Sequence, residues 1–173
     1  MLRAAVIFVL LCFSHLGFAE DDIYVAKDEP QYNNDQENSF LGWDLENWAI
    51  QVNLASYHPN NSEDYNEFNP GIGLEYHYEH FFLAAGYFYN SLDKSSFYAG
   101  VGKELTWGTH LSFGAGATAG LITGYDSGQE PRFAALPYLF VTKNRLTFKA
   151  YYIPEVGRVD DDAIGFAIRI KFD

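Results

Sequence analysis

A period-two alternation of apolar and polar residues is the feature that most constrains the fold of this chain. It begins at Trp48 and recurs in the segments "WAIQVNLASY" (48–57), "GIGLEYHY" (71–78), "LTFKAYY" (146–152) and "GFAIRIKF" (165–172). Successive side chains of a β-strand point to opposite faces, so the alternation indicates strands with one apolar and one polar face. Four further segments complete a set of eight predicted strands: 81–89, 96–104, 110–121 and 133–142.

The lengths of the connections predict how these strands are arranged. Short connections are predicted at 79–80, 105–109 and 143–145, and longer ones at 58–69, 90–95, 122–132 and 155–162. Short turns at one end and longer loops at the other, with an apolar outer face, are typical of a small outer-membrane barrel. We therefore predict an all-β fold: an eight-stranded antiparallel outer-membrane β-barrel over residues 47–173, located in the outer membrane of a Gram-negative-type cell envelope.

A water-soluble barrel of the lipocalin type is the alternative, because alternation alone does not say which face points inward. Two features favour the membrane barrel. Tyr and Phe residues crowd the strand ends, where aromatic girdles meet the lipid interface. The other face of the strands is polar or rich in glycine, which suits the inside of a membrane barrel.

The first 46 residues are expected to lie outside the barrel. Arg3 precedes the apolar run 4–13, and the small residues Gly17 and Ala19 lie where a signal peptidase cleaves, so we predict a signal peptide over residues 1–19. Residues 20–46 hold nine acidic residues and a single lysine, which predicts a solvated acidic N-terminal arm.

Composition narrows the range of functions. The formal net charge of −12 argues against nucleic-acid binding by phosphate neutralisation. The sequence has no zinc-ligand spacing and no glycine-rich phosphate loop, so we expect no metal and no cofactor. The one cysteine, Cys12, lies in the predicted signal peptide, so no disulfide is expected in the remainder. We expect a monomer whose partners are membrane lipids.

Several short strings identify a family resemblance over residues 48–172. They are "DYNE" (64–67), "NSLDK" (90–94) leading into "AGVG" (99–102), "TAG" (118–120), "LPYLFV" (136–141), "LTF" (146–148) and "YYIP" (151–154). In this order and spacing the chain resembles the outer-membrane lipid A palmitoyltransferases, eight-stranded barrels that move an acyl chain from a phospholipid onto lipid A.

The resemblance implies an acyl-chain pocket in the outer half of the barrel. A glycine on the floor of the family's pocket gives room for the full chain, and it corresponds to Gly102. Access in the family is lateral, between two strands whose ladder is interrupted by prolines, and these correspond to Pro137 and Pro154. The chemistry agrees, since proline cannot donate a ladder hydrogen bond and glycine leaves space beside it.

The resemblance also implies catalytic positions. The family uses a histidine on the first strand and an Asp-Ser pair in the second outer loop. Ser91 corresponds to the serine and Asn90 to the aspartate, while an ungapped count places Val52 at the histidine. Because ester transfer needs a base within hydrogen-bond reach of the attacking hydroxyl, His58, at the start of the 58–69 loop, is the candidate replacement.

Two functions therefore remain open at the level of sequence. One is an acyltransferase-like barrel that binds an acyl chain from a phospholipid and transfers it to lipid A. The other is a non-catalytic outer-membrane barrel with a structural or surface-interaction role. A soluble ligand-binding barrel is a third alternative, tied to the lipocalin-like fold.

Overall fold

The computed structural model describes residues 39–40, 43–59, 65–125, 130–154 and 162–172. The predicted signal peptide, 1–19, and most of the predicted acidic arm, 20–46, lie outside the described residues. Two short strands, β1 (Ser39–Phe40) and β2 (Trp43–Asp44), form a sheet of their own, and a single 3₁₀ turn covers Leu45–Asn47. Among the described residues, no helix has the length and apolar content needed to cross a membrane.

Eight longer strands form a closed antiparallel barrel, which confirms the predicted fold. They are β3 (Trp48–Tyr57), β4 (Phe68–Tyr78), β5 (Phe81–Tyr89), β6 (Ser95–Trp107), β7 (Leu111–Ile122), β8 (Arg132–Lys143), β9 (Leu146–Ile153) and β10 (Ala163–Lys171). Each strand pairs with its neighbours in sequence, and β10 pairs with β3 to close the barrel. Closure pairs the first and last strands, as a strand protein needs in order to satisfy its backbone groups within a bilayer.

The apolar face of the barrel points outward. Large apolar side chains remain exposed along the strands, including Ile72, Leu74, Leu83, Val101, Leu121, Leu139 and Ile170. Exposed aromatic residues lie near the strand ends, including Tyr57, Phe68, Tyr78, Phe81, Trp107 and Phe133. An apolar band between aromatic ends is the outer surface of a membrane barrel and would be unsuited to water.

The two ends of the barrel differ. The strands are joined by tight turns at Glu79 and His80, at 108–110, and at Asn144 and Arg145; we call this the turn end. The opposite end, the loop end, carries the connections 58–67, 90–94, 123–131 and 154–162. The predicted turn at 105–109 is displaced because β6 continues to Trp107, which pairs with Phe113 on β7.

Inside the barrel, four charged residues fill the turn end; three are buried and Glu104 is partly buried. Glu75, Glu104, Lys149 and Arg169 form this turn-end ion cluster. Lys149 Nζ lies 2.6 Å from Glu75 Oε1, and Arg169 Nη1 lies 2.6 Å from Glu104 Oε1. Two positive and two negative charges are thus paired with little or no exposure to water, where an unpaired charge is strongly disfavoured. Thr147, Gln51 and Tyr138 add hydrogen bonds to the cluster.

One seam of the barrel is incomplete. Within the described parts of β8 and β9, the ladder extends from the Lys143–Leu146 pair only as far as the Tyr138–Tyr151 pair. The rest of β8, from Arg132 to Pro137, pairs with β7 alone. The seam therefore lacks pairing in its loop-end half, starting at Pro137. Pro154 lies just past the end of β9 on the other side of this opening.

Candidate functional site

A cavity of about 150 Å³ occupies the loop-end half of the barrel. Most of its wall is apolar or glycine, and Leu136 and Ile153 line it beside the incomplete seam between β8 and β9. Ser56, Ser91 and Tyr125 line it at the loop end. The cavity is thus a mostly apolar space inside the barrel, with Ser56 and Ser91 at its loop end and Gln51 and Glu75 toward its turn end.

The floor of the cavity rests on an aromatic cluster. Phe82, which lines the cavity, packs with the buried rings of Tyr138 and Phe140, while Tyr151 packs against the cluster. Lys149 Nζ lies 5.1 Å from the centre of the Phe82 ring, so the turn-end ion cluster lies directly against this floor. The cavity therefore extends to the edge of this cluster, where Glu75 and Gln51 also line it.

Gly102 lies against the floor and does not line the cavity itself. It pairs with Phe82 across β5 and β6, and a Cβ atom at position 102 would overlap the ring of Phe82. The phenyl ring thus fills the space that the glycine leaves open. The role expected for Gly102, as a floor that leaves room for an acyl chain, stays a prediction, and the surface facing the cavity belongs to Phe82.

An irregularity in β3 decides which of its residues face the cavity. Asn53 pairs with Ala167 and Ala55 pairs with Phe166, so Leu54 has no partner on β10. This extra residue is a β-bulge, which changes the direction of every side chain beyond it. Val52, before the bulge, shares the outer face with Ile72, which is 58% exposed.

Beyond the bulge the inward positions are Ser56 and His58, which are both buried. The ungapped count that places Val52 at the family's histidine therefore ends on an outward-facing residue. His58, by contrast, lies at the loop end of β3 and faces the interior. The His58 imidazole therefore reaches Ser91 directly from the end of β3. The loop that begins at residue 58 does not have to fold across the loop end of the barrel to bring the two side chains together.

His58 and Ser91 are in direct contact. His58 Nε2 lies 3.1 Å from Ser91 Oγ, and the two residues are 2% and 8% exposed. The His58 ring stacks on Tyr65 with 4.5 Å between the ring centres, which fixes the plane of the imidazole. The backbone amide of Asn66 donates to the carbonyl of Ser91 over 3.0 Å, which ties the two loops together.

Ser56 completes the polar group and limits where protons can lie. Its Oγ donates to Asn69 Oδ1 at 2.6 Å and is 3.2 Å from Ser91 Oγ and 3.3 Å from His58 Nε2. A hydroxyl has one proton to donate, so Ser56 can only accept from the other two. In the tautomer whose Nε2 carries no proton, the Ser91 hydroxyl can donate to His58 Nε2, which is the arrangement of a nucleophile and its base.

Asn90 supports the loop that carries Ser91. Its Oδ1 accepts from the amides of Leu92 and Lys94, and its Nδ2 donates to Ser96 Oγ and to the carbonyl of Gly124. These four bonds use the full hydrogen-bonding capacity of the amide. Asn90 therefore positions Ser91 from behind through the loop backbone.

The segment that meets Asn90 also carries Tyr125. Gly124 has a φ of 87°, and a Cβ there would come within 2.6 Å of the Ser95 carbonyl and 2.7 Å of Ser96 Oγ. Glycine thus allows the two loops to approach closely. Tyr125 follows with only 7% exposure, and burial raises the pKa of its phenol.

Four residues of this site are not predicted from the sequence: Ser56, Asn69, Phe82 and Tyr125. Ser56 and Asn69 lie beside the β3 bulge, which has no signature in the alternation. Tyr125 lies in a loop, where periodicity carries no information. Phe82 could have been found, because a hairpin with its turn at 90–94 places residue 82 opposite Gly102.

Comparison with known proteins bears on this site. No family model matches the chain. The Lipid A acyltransferase PagP of Laribacter hongkongensis (strain HLHK9) is 34% identical over 109 residues, covering 59% of this chain and 53% of that protein. The chain is similar to a lipid A acyltransferase. The resemblance predicted from the sequence is thereby confirmed, although the chain spans only about half the length of the curated relative it matches.

A solved structure supports the fold. A de novo designed transmembrane β-barrel superposes with a TM-score of 0.52 at 15% identity, covering 73% of this chain and 96% of the design. At that identity the similarity concerns architecture alone. Together with the apolar outer band and the similarity to the acyltransferase, it identifies the protein as an outer-membrane β-barrel, in the location predicted from the sequence.

Proposed function

We propose that this barrel takes up an acyl chain of a phospholipid and transfers it to lipid A, with Ser91 as nucleophile and His58 as base. The observation that carries the proposal is the 3.1 Å contact between His58 Nε2 and Ser91 Oγ at one end of the apolar cavity. A nucleophile within hydrogen-bond reach of a base is the requirement for acyl transfer. The 34% identical relative is by name a lipid A acyltransferase.

The chemistry proceeds in two balanced steps. Ser91 Oγ attacks the carbonyl carbon of the phospholipid ester while His58 Nε2 takes the hydroxyl proton. The bond between the carbonyl carbon and the glycerol oxygen breaks, and His58 returns the proton to that oxygen, which releases a lysophospholipid. A lipid A hydroxyl, deprotonated by His58, then attacks the acyl-serine, and the proton passes back to Ser91.

The barrel wall supports a lateral route for the donor lipid. The seam between β8 and β9 has no described pairing between Pro137 and the loop end, and Leu136 and Ile153 line the cavity beside it. In this proposal Pro137 and Pro154 border the opening. An acyl chain that passes sideways from the bilayer would remain among apolar groups throughout, which avoids exposing it to water.

A transfer assay tests the function. Folded full-length protein in detergent micelles is incubated with a phospholipid labelled on its acyl chain and with lipid A, and lipid A bearing one additional chain is measured. We expect product from the wild-type protein and a loss of at least about 100-fold in rate for Ser91→Ala and for His58→Gln, since a general base contributes about 10²–10⁴-fold.

Ser95→Ala is the matched control. Ser95 lies next to the same loop, but its hydroxyl contacts Tyr87 OH at 3.1 Å on the exposed side. Its rate should equal that of the wild type. A wild-type barrel that is folded, as judged by heat-modifiable migration, yet forms no product would overturn the transfer reaction and favour the non-catalytic barrel.

A further inference from the structure

Tyr125 combines burial with an unused hydroxyl. Its side chain is 7% exposed and lines the same cavity as Ser91. Within the described residues, its hydroxyl makes no hydrogen bond, whereas the other cavity-lining tyrosine near the floor, Tyr151, donates to Gln51 Oε1 at 2.9 Å. Because Tyr125 lines the cavity and its hydroxyl has no hydrogen-bond partner among the described residues, that hydroxyl is available to an acceptor on a bound molecule.

The position of Tyr125 is fixed relative to Ser91. Asn90 precedes Ser91 in the chain, and its Nδ2 donates at 3.0 Å to the carbonyl of Gly124, the residue before Tyr125. Ser96 Oγ donates to the carbonyl of Thr123 at 2.7 Å, which adds a second tie between the same two segments. The tyrosine and the serine are therefore carried by two loops that are bonded together.

The lining of the rest of the cavity indicates which class of ligand could accept a hydrogen bond from the Tyr125 hydroxyl. Most of its wall is apolar, which suits a bound group that is hydrocarbon over most of its length. An acyl ester carries one acceptor where its chain ends, the carbonyl oxygen, and Ser91 lies at that end of the cavity. Burial also raises the pKa of Tyr125, so the phenol keeps its proton and stays a donor at neutral pH.

We propose that the Tyr125 hydroxyl donates a hydrogen bond to the carbonyl oxygen of the acyl ester held in the cavity. This inference rests on the proposed function for the identity of the ligand. During attack on the carbonyl carbon, negative charge develops on that oxygen, and a donor already in place stabilises it more than it stabilises the ground state.

Binding gives a test that does not depend on turnover. Two phospholipids with the same head group and chain length are compared as competitors for the full-length barrel: a diester, and its diether analogue, which lacks both carbonyl groups. In the Ser91→Ala background, we expect the diester to bind roughly threefold to tenfold more tightly than the diether, in line with one hydrogen bond. Tyr125→Phe should abolish this preference, while Tyr87→Phe, which removes a hydroxyl on the exposed side of the barrel, should retain it.

Transfer kinetics give the second readout. Tyr125→Phe keeps the ring and loses the hydroxyl, so we expect kcat to fall by about 100-fold, as for one donor to a developing oxyanion, with KM changed far less. If Tyr125 had only a structural role, Tyr125→Phe would leave kcat and KM unchanged and only Tyr125→Leu would lower the transfer rate. That result would overturn the inference.

The outcomes separate this inference from the proposed function. If the wild-type protein forms no product but prefers the diester through Tyr125, the transfer reaction is wrong and the carbonyl contact stands. If the wild-type protein transfers acyl chains and Tyr125→Phe retains both rate and ester preference, the carbonyl contact is wrong and the reaction stands. An equal affinity of the Ser91→Ala barrel for diester and diether also overturns the contact.

Discussion

The ring of Phe82 lies in the space that any side chain at position 102 would occupy, so these two residues act as one unit at the cavity floor. We expect Gly102→Ala to push the ring toward the cavity and to shift binding toward shorter acyl chains. Each methylene that no longer fits costs about 0.8 kcal/mol, or roughly a fourfold loss of affinity. Competition binding with phospholipids of graded chain length measures the shift.

A double variant serves as the control for this floor. Phe82→Ala combined with Gly102→Ala removes the ring that the new methyl group would displace, so the preference for long chains should return. If Gly102→Ala alone leaves the chain-length profile of the wild-type protein unchanged, Phe82 does not form the floor.

Asn90→Asp is expected to weaken the site, although it restores the residue type that the family resemblance implies. The side chain is fully buried, and its Nδ2 donates to the Gly124 carbonyl and to Ser96 Oγ. A carboxylate would present an acceptor to the Gly124 carbonyl, leaving both groups unsatisfied at a cost of about 1–3 kcal/mol. We expect a lower free energy of unfolding and a lower transfer rate, and a rate above that of the wild type would contradict this account.

Lys149 is expected to be the most sensitive charge inside the barrel. Its ammonium has no solvent exposure and pairs with Glu75, so Lys149→Met leaves a buried carboxylate that has lost a partner. Removing one member of such a pair costs about 3–5 kcal/mol. Urea unfolding in lipid vesicles should show this loss, and adding Glu75→Gln should recover part of it. The exposed Lys143, changed to Met, provides the comparison and should have little effect.

Pro137→Ala tests the opening between β8 and β9. Alanine supplies the backbone N–H that proline lacks, so the ladder can extend beyond the Tyr138–Tyr151 pair. With a ladder hydrogen bond contributing about 0.5–1.5 kcal/mol, we expect acyl-chain uptake to slow by roughly twofold to tenfold. Stopped-flow binding of a fluorescent phospholipid measures it. Pro131→Ala, in the loop before β8, should match the wild type, and equal rates for all three proteins would exclude this route.

The barrel could be predicted from the sequence because the alternation of apolar and polar residues shows which face of its strand each residue occupies. The alternation correctly predicts that Val52 lies on a strand and that His58 lies at the start of a loop. It does not reveal the bulge at Leu54. One extra residue reverses the faces beyond it and brings Ser56 and His58 inward, and a bulge leaves no trace in composition. The contact between His58 and Ser91 depends on that reversal.

Loops and cross-strand packing account for the other differences. Tyr125 owes its burial to the bonds that Asn90 makes with Gly124, and such long-range ties are invisible to periodicity. The turn predicted at 105–109 began too early, because Leu105 and Trp107 continue the outward row of β6. Gly102 was selected through resemblance, and only the pairing of β5 with β6 shows which ring lies against it.

The turn-end ion cluster has a consequence for the membrane as a whole. Glu75, Glu104, Lys149 and Arg169 are held by one another and by neighbouring hydroxyl and amide groups across the interior of the barrel. We therefore expect the turn end of the barrel to resist the passage of hydrated ions. A cell could place many copies of it in its outer membrane without opening that membrane to ions.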